Sequence, residues 1–84
     1  MFSLKDKIIL VTGSTGYLGR AISEGLAKMG AKVYINGRTE SSVNKTVDSL
    51  IKKGYRAEPA IFDITDYKQV EIFFSNFDED VIDV

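Results

Sequence analysis

A solid apolar run that ends in a glycine-rich loop is the feature that most restricts the fold of this sequence. Residues 7–12 read KIILVT, and residues 12–19 read TGSTGYLG, with three glycines at intervals of three residues. An apolar run without polar alternation is typical of a strand covered on both faces of a parallel sheet. Glycines at such a junction either form a tight turn or bring the backbone close to a ligand.

Helical periodicity and strand-like runs then alternate along the chain. AKVYIN and RAEPAIFDI predict the second and third strands, and VIDV resembles the start of a fourth. Pro59 cannot donate to a ladder, so the third strand should lie at or near a sheet edge. The predicted apolar faces of the three helices are, in order, Leu18, Ile22, Leu26 and Met29; Val43, Val47, Leu50 and Ile51; and Val70, Phe73, Phe74 and Phe77.

The helix ends also carry signals. Gly30 and Gly54 supply the left-handed residue that closes the first two helices. Thr39 is the predicted N-cap of the second helix, and Thr65 or Asp63 that of the third.

This order of elements predicts a single α/β unit over residues 1–84. Alternating strands and helices with short connections form a parallel sheet with right-handed crossovers. We therefore expect a Rossmann-type sheet of strand order 3-2-1-(4) with flanking helices, as the incomplete half of a doubly wound fold. Ligands of such sheets bind beyond the carboxyl end of the first strand, where TGSTGYLG lies.

Composition excludes several classes of function. The chain has no cysteine and no histidine, so disulfides, the usual metal sites and the commonest general base are absent from it. A net charge of -1 implies no general affinity for nucleic acid or anionic membranes. Neither a membrane-spanning apolar run nor a signal peptide is evident, so a cytoplasmic location is expected.

The glycine loop has the setting that a dinucleotide fingerprint requires, with a strand before it and a helix opening within it. Gly13 would permit the tight turn, Gly16 would let the pyrophosphate approach, and Gly19 would let the helix pack against the sheet. Free N–H groups from Thr15 to Leu18, with the helix dipole, would hold the phosphates. The triphosphate-binding loop G-x-x-x-x-G-K-[ST] is not present.

Two further strand ends bear on the ligand. The second strand leads into Asn36-Gly37-Arg38, without the carboxylate that would accept from a ribose 2'-hydroxyl. Arg38 with Thr39 nearby therefore favours NADP(H) over NAD(H), although an exposed loop arginine needs no ligand. After the third strand, Asp63 is either an acceptor for an adenine amino group, with the Ile64 amide beside it, or a helix N-cap.

These stretches together resemble the N-terminal part of a short-chain dehydrogenase/reductase. LVTGSTGYLGRAISEGLAKMGAKVYINGR, FDIT and DVIDV carry the resemblance, which covers essentially the whole chain. It implies a pyrophosphate site at Gly13, Gly16, Tyr17, Leu18 and Gly19, a 2'-phosphate contact at Arg38 and an adenine site at Asp63 and Ile64. The glycine spacing departs from that of the simple one-domain reductases, so the substrate stays open.

The resemblance also implies a catalytic serine and a Tyr-x-x-x-Lys pair, and no tyrosine of this chain has a lysine at that spacing. We therefore expect a truncated oxidoreductase without catalytic residues, inactive alone, whose complete form acts on a small carbonyl or alcohol. The alternative is a non-enzymatic module that senses NADP(H) or binds a partner. Self-association over an exposed strand edge is compatible with either interpretation.

Overall fold

The computed structural model describes residues 3–13 and 16–75, together with the backbone of 82–83. Strands and helices alternate within this part of the chain, as predicted. The elements are β1 (Ile8–Val11), α1 (Tyr17–Lys28), β2 (Lys32–Gly37), α2 (Glu40–Lys52), β3 (Ala57–Ile61), α3 (Tyr67–Ser75) and β4 (Ile82–Asp83).

The strands form one parallel sheet in the order β3-β2-β1-β4. Ile9 of β1 pairs with Val33 of β2 on one side and with Ile82 of β4 on the other. The predicted Rossmann-type α/β fold is therefore confirmed, and so is the position of the strand that contains Pro59 at the edge of the described sheet.

Helices cover both faces of the sheet. Alternate residues of β1 and β2, such as Ile9, Val11, Val33 and Ile35, form the larger core with α1 and α2. Leu10 points to the opposite face, where Ala60, Phe62 and the partly buried Phe73 of α3 pack around it. Phe62 and Phe73 are in ring contact at 5.0 Å between centroids.

The predicted apolar face of α1 is wrong. Leu18 is 70% exposed, and Ile22 and Met29 are exposed by 39% and 37%, whereas Leu26 packs partly against the core. The residues that α1 buries are Ser23 and Ala27, whose small side chains let the helix lie close to the sheet. A prediction from helical spacing alone assigns the large apolar residues to the buried face, because the spacing carries no information on how closely the helix approaches the sheet.

The other two helices follow the predicted pattern more closely. Val43, Val47 and Leu50 of α2 are buried, but Ile51 is 52% exposed. In α3, Val70 and Phe73 pack against the cluster of Leu10, Ala60 and Phe62. Phe74, predicted on the same face, is 37% exposed, and Phe77 lies outside the described residues. Gly30 and Gly54 have positive φ angles directly after α1 and α2, as predicted for helix-ending glycines.

Candidate dinucleotide site

The carboxyl ends of β1, β2 and β3 meet at one edge of the sheet because the strands are parallel. A cleft of about 430 Å³ opens there. Its lining consists of Gly13, Asn36, Gly37, Arg38, Phe62, Asp63, Ile64 and Thr65. Four residues singled out in the sequence, Gly13, Arg38, Asp63 and Ile64, thus share one cavity although three different loops supply them.

Gly13 forms the turn that follows β1. Its φ of +61° lies in the left-handed region, which residues with a Cβ adopt only at a cost. A Cβ added to Gly13 would meet nothing within 4 Å, so the backbone conformation and not crowding accounts for the glycine. The main-chain N–H of Gly13 donates to Oδ1 of Asn36 at 3.1 Å.

Gly16 differs from Gly13 in its backbone conformation. It is the N-cap of α1 with φ −78° and ψ 173°, an extended conformation open to any residue. A Cβ at Gly16 would also meet nothing within 4 Å, so neither backbone nor neighbours require a glycine there. The missing side chain leaves a bare surface at the start of a helix.

The first turn of α1 presents backbone groups to that surface. No side chain forms a capping bond at Gly16 among the described residues, and the first turn contains no acidic residue. Tyr17 and Leu18 are exposed, at 86% and 70%. Gly19 is half-buried, and its carbonyl accepts from Oγ of the fully buried Ser23 at 2.8 Å. Thr15, also predicted to hold phosphate, lies outside the described residues.

Arg38 directly follows β2 and is the cationic side chain of the cleft lining. Its side chain is 77% exposed, and Nη1 lies 4.0 Å from Oδ2 of Asp63. Thr39 is the N-cap of α2, where its carbonyl accepts from the Val43 N–H at 3.1 Å, but its side chain makes no capping bond. Thr39 is exposed beside the cleft and is not among the described residues that line it.

Asp63 is held in place by Thr65. Its Oδ1 accepts from the Thr65 N–H at 2.9 Å and from the Thr65 hydroxyl at 2.7 Å. The pKa of Asp63 is held below its ordinary value. The main cause is the hydrogen bond from the Thr65 hydroxyl, the second is the bond from the Thr65 N–H, and the charge of Arg38 has a smaller effect. Asp63 is therefore a fixed carboxylate at the cleft, with Oδ2 directed towards Arg38.

The predicted N-cap of α3 is wrong. The helix starts at Tyr67, and Asp66 caps it by accepting from the N–H groups of Lys68 at 3.1 Å and Gln69 at 3.3 Å. Thr65 and Asp63 stand before this cap, in a turn of their own. Asp63, Thr65 and Asp66 all carry side-chain oxygens and stand shortly before Tyr67. Residue types alone therefore could not decide which of them caps the helix.

Asn36 is a site residue whose role the sequence did not reveal. Its side chain is 2% exposed and connects Gly13 to the end of β3, since Nδ2 donates to the carbonyls of Ala60 and Phe62 at 3.0 Å each. A signal was present in the sequence, because a polar amide stands at the end of an otherwise β-forming run.

A second cavity of about 370 Å³ lies between α1 and α2, with Arg20, Glu24, Lys45 and Lys53 in its lining. Nζ of Lys53 donates to Oε1 of Glu24 at 2.9 Å, and this bond is the main cause of a lowered pKa of Glu24. Of the predicted site residues that the structure describes, this second cavity includes only Tyr17 in its lining. Among the described residues, neither a three-residue metal-ligating group nor a helix long and apolar enough to cross a membrane is found.

Comparison with known proteins agrees with this geometry. The family model of the short chain dehydrogenases matches residues 7–84. The uncharacterized oxidoreductase YvaG of Bacillus subtilis is 50% identical over a match that covers 74% of this chain and 24% of that protein. Gluconate 5-dehydrogenase of Gluconobacter oxydans is 37% identical, with 83% and 27% covered.

A solved structure of a related protein is also similar to this chain. A gluconate 5-dehydrogenase from Burkholderia cenocepacia, in complex with NADP and tartrate, superposes with a TM-score of 0.85 at 32% identity. The match covers 90% of this chain and 30% of that one, so the chain spans about a third or less of each relative's length. With its parallel sheet, its glycine turn and a family match over nearly its whole length, the chain belongs to the short-chain dehydrogenase family.

Proposed function

We propose that this chain binds NADP(H) and forms the cofactor-binding part of an oxidoreductase. The nicotinamide, when bound, supplies or accepts a hydride at a carbonyl or alcohol carbon of the substrate. The observation that carries the proposal is the convergence of the Gly13 turn, Arg38 and Asp63 on one cleft at the carboxyl edge of a parallel sheet.

The start of α1 is the proposed pyrophosphate site. Its backbone N–H groups and helix dipole favour an anion, and no acidic residue in the first turn opposes one. Gly16 gives the clearest support for this assignment. Its backbone conformation and its neighbours would tolerate a side chain, whereas a pyrophosphate bound at the helix start would leave no room for one. Gly13 and Gly19 shape the turn and the helix contact on either side of it.

Arg38 is the proposed contact for the 2'-phosphate of NADP(H). A guanidinium forms paired charge-assisted hydrogen bonds with a phosphate, and Arg38 is exposed enough to reach one. The first carboxylate after β2 is Glu40, which belongs to α2. Thr39 is a neutral donor beside Arg38, so the end of β2 offers no acidic group to accept from a free 2'-hydroxyl.

Asp63 and Ile64 are the proposed adenine contacts. The bonds from Thr65 are made to Oδ1 of Asp63, so Oδ2, which lies 4.0 Å from Nη1 of Arg38, is the proposed acceptor for an adenine amino group. The Ile64 N–H is the proposed donor to a ring nitrogen, and the Ile64 side chain, 49% exposed in the same cleft, offers an apolar surface to the ring.

The substrate of the complete protein is proposed to be a sugar acid or a related polyhydroxy carbonyl compound. The support is that two relatives are named gluconate 5-dehydrogenases. The catalytic serine and the Tyr-x-x-x-Lys pair that the family resemblance implies are not among these residues. We therefore expect residues 1–84 to bind cofactor without turning over a substrate.

Titration with NADPH and NADH tests the cofactor proposal. We expect Arg38→Asp to weaken NADPH binding by about ten- to a hundredfold, because it replaces a charge-assisted contact with repulsion, and to change NADH binding much less. The matched control is Lys52→Asp, the same charge reversal in the last turn of α2, which should leave both affinities unchanged. Equal losses for both dinucleotides would refute the role of Arg38.

A turnover assay separates binding from catalysis. Purified residues 1–84 are mixed with NADPH and 5-keto-D-gluconate or a 3-oxoacyl ester, and absorbance at the nicotinamide band is followed. Binding without turnover is expected, and enzyme-dependent oxidation of NADPH would contradict it. A complete protein that binds NADPH yet reduces no carbonyl compound would favour the sensing module instead.

A further inference from the structure

Within the part of the chain that the structure describes, hydrogen bonds from Asn36 join the ends of three strands. Oδ1 accepts from the Gly13 N–H at 3.1 Å, and Nδ2 donates to the carbonyls of Ala60 and Phe62 at 3.0 Å each. Donors and acceptors fix the orientation of this amide, because the flipped form would set its NH₂ group against an N–H and its oxygen against two carbonyls. At 2% exposure, the side chain has little access to water as a substitute partner.

These bonds connect the two ends of the proposed dinucleotide site. Gly13 begins the loop proposed to hold the pyrophosphate, while Phe62 directly precedes Asp63 and Ile64 at the proposed adenine end. A further bond, from the Phe62 N–H to the Gly37 carbonyl at 3.1 Å, ties β2 to the same segment. The main-chain N–H bond of Gly13 to Asn36 connects the turn after β1 to the rest of the cleft.

We propose that Asn36 is a positioning residue for dinucleotide binding, which sets the spacing between the pyrophosphate loop and the adenine end of the cleft. This inference rests on the proposed function. It differs from the role of Arg38, because a residue that sets the spacing affects every dinucleotide alike, whereas a contact to the 2'-phosphate affects only NADP(H).

Asn36→Asp is the sharpest variant. The carboxylate can still accept from Gly13, but its second oxygen faces the carbonyls of Ala60 and Phe62, and acceptors at about 3.0 Å repel. The substitution also places an acidic residue at the end of β2. Sequence position alone would suggest that such a residue favours NAD(H) by accepting from the ribose 2'-hydroxyl. Because the side chain is buried between strands, the new charge would not reach a ribose hydroxyl.

Dinucleotide affinities measured well below the unfolding transition test the proposal. We expect Asn36→Asp to weaken NADPH and NADH binding by about tenfold each, with an unchanged ratio, whereas Arg38→Asp changes the ratio. The control is Thr46→Val, which removes another buried hydrogen bond, from Oγ1 to the Ser42 carbonyl in α2, and should leave both affinities unchanged. Unchanged affinities in Asn36→Asp, or a switch towards NADH, would overturn the proposal.

A measurement on the unmodified chain covers the case in which Asn36→Asp does not fold. Hydrogen exchange of the Gly13 amide should be slowed in the free chain, although Gly13 is exposed, because its N–H is bonded to Asn36. A Gly13 amide that exchanges at the rate of an open loop would refute the link. An unmodified chain that binds neither dinucleotide refutes the proposed function, while the exchange of Gly13 still reports on Asn36.

Discussion

Nη1 of Arg38 lies 4.0 Å from Oδ2 of Asp63, across a cleft between residues 25 positions apart in the sequence. The pair is loose, since the Arg38 side chain is 77% exposed, and loose exposed pairs contribute little to stability. Its importance is positional. Asp63 lies beside the guanidinium of Arg38 at the cleft, and the exposed Arg38 side chain remains accessible to the proposed 2'-phosphate.

The exposure of Arg38 predicts a dependence on salt. Added salt screens exposed charges, so NADPH affinity should fall more steeply with ionic strength than NADH affinity does. The measurement is the ratio of the two dissociation constants between about 0.02 M and about 0.5 M salt. A ratio independent of salt would mean that the 2'-phosphate does not meet an exposed cation.

Gly13→Ala should destabilise the fold. Its φ of +61° costs a residue with a Cβ about 1–2 kcal/mol, although no neighbouring atom would clash. Gly25→Ala is the matched control: it lies inside α1 with open space around it, so the same substitution should stabilise by about 0.5–1 kcal/mol. Chemical denaturation measures both, and equal signs for the two variants would contradict the assignment.

Gly16→Ser should separate stability from binding. Serine is a preferred N-cap and the extended backbone accepts it, so the free energy of unfolding should stay the same or rise by a few tenths of a kcal/mol. The same hydroxymethyl group would stand over the helix start and weaken dinucleotide binding by about tenfold or more. Calorimetric titration beside denaturation measures both quantities. Undiminished binding would show that the pyrophosphate does not approach Gly16.

Asp63 should make stability depend on pH at the acid end. Hydrogen bonds from Thr65 lower the pKa of Asp63 in the folded chain below its ordinary value of 3.8. A lowered pKa gives stability that is present above the ordinary value and lost as the pH falls through the folded one. The thermal midpoint should therefore fall more steeply below about pH 4 in the unmodified chain than in Asp63→Asn. Identical slopes would contradict the contribution of Asp63.

The fold could be predicted because its signals are local and repeated. The apolar side chains of β1 indicate a strand buried on both faces, while the positive-φ glycines after α1 and α2 and Pro59 at the sheet edge act through backbone properties that the residue type determines. The buried face of α1 could not be predicted, since the burial of Ser23 and Ala27 depends on how closely the helix and the sheet approach each other. That distance is a tertiary property.

The sequence could place the residues of the candidate site at the strand ends. Parallel topology alone brings Gly13, Arg38 and Asp63 to one edge, so their placement in one cleft follows from the element order. The role of Asn36 and the cap at Asp66 did not follow, because each depends on which of several polar atoms meets which backbone group. Such partnerships form between segments distant in sequence or differ by a single residue of register.

The location of bound NADPH tests the central claim most directly. Backbone amide shifts of the isotope-labelled chain, followed during titration with NADPH, should change most at Gly13, Gly16, Arg38 and Ile64, around the cleft at the strand ends. The cavity between α1 and α2 serves as an internal reference through Lys45, Ser49 and Lys53. Shifts centred on that second cavity, or no saturable shifts at all, would contradict a dinucleotide site at the carboxyl edge of the sheet.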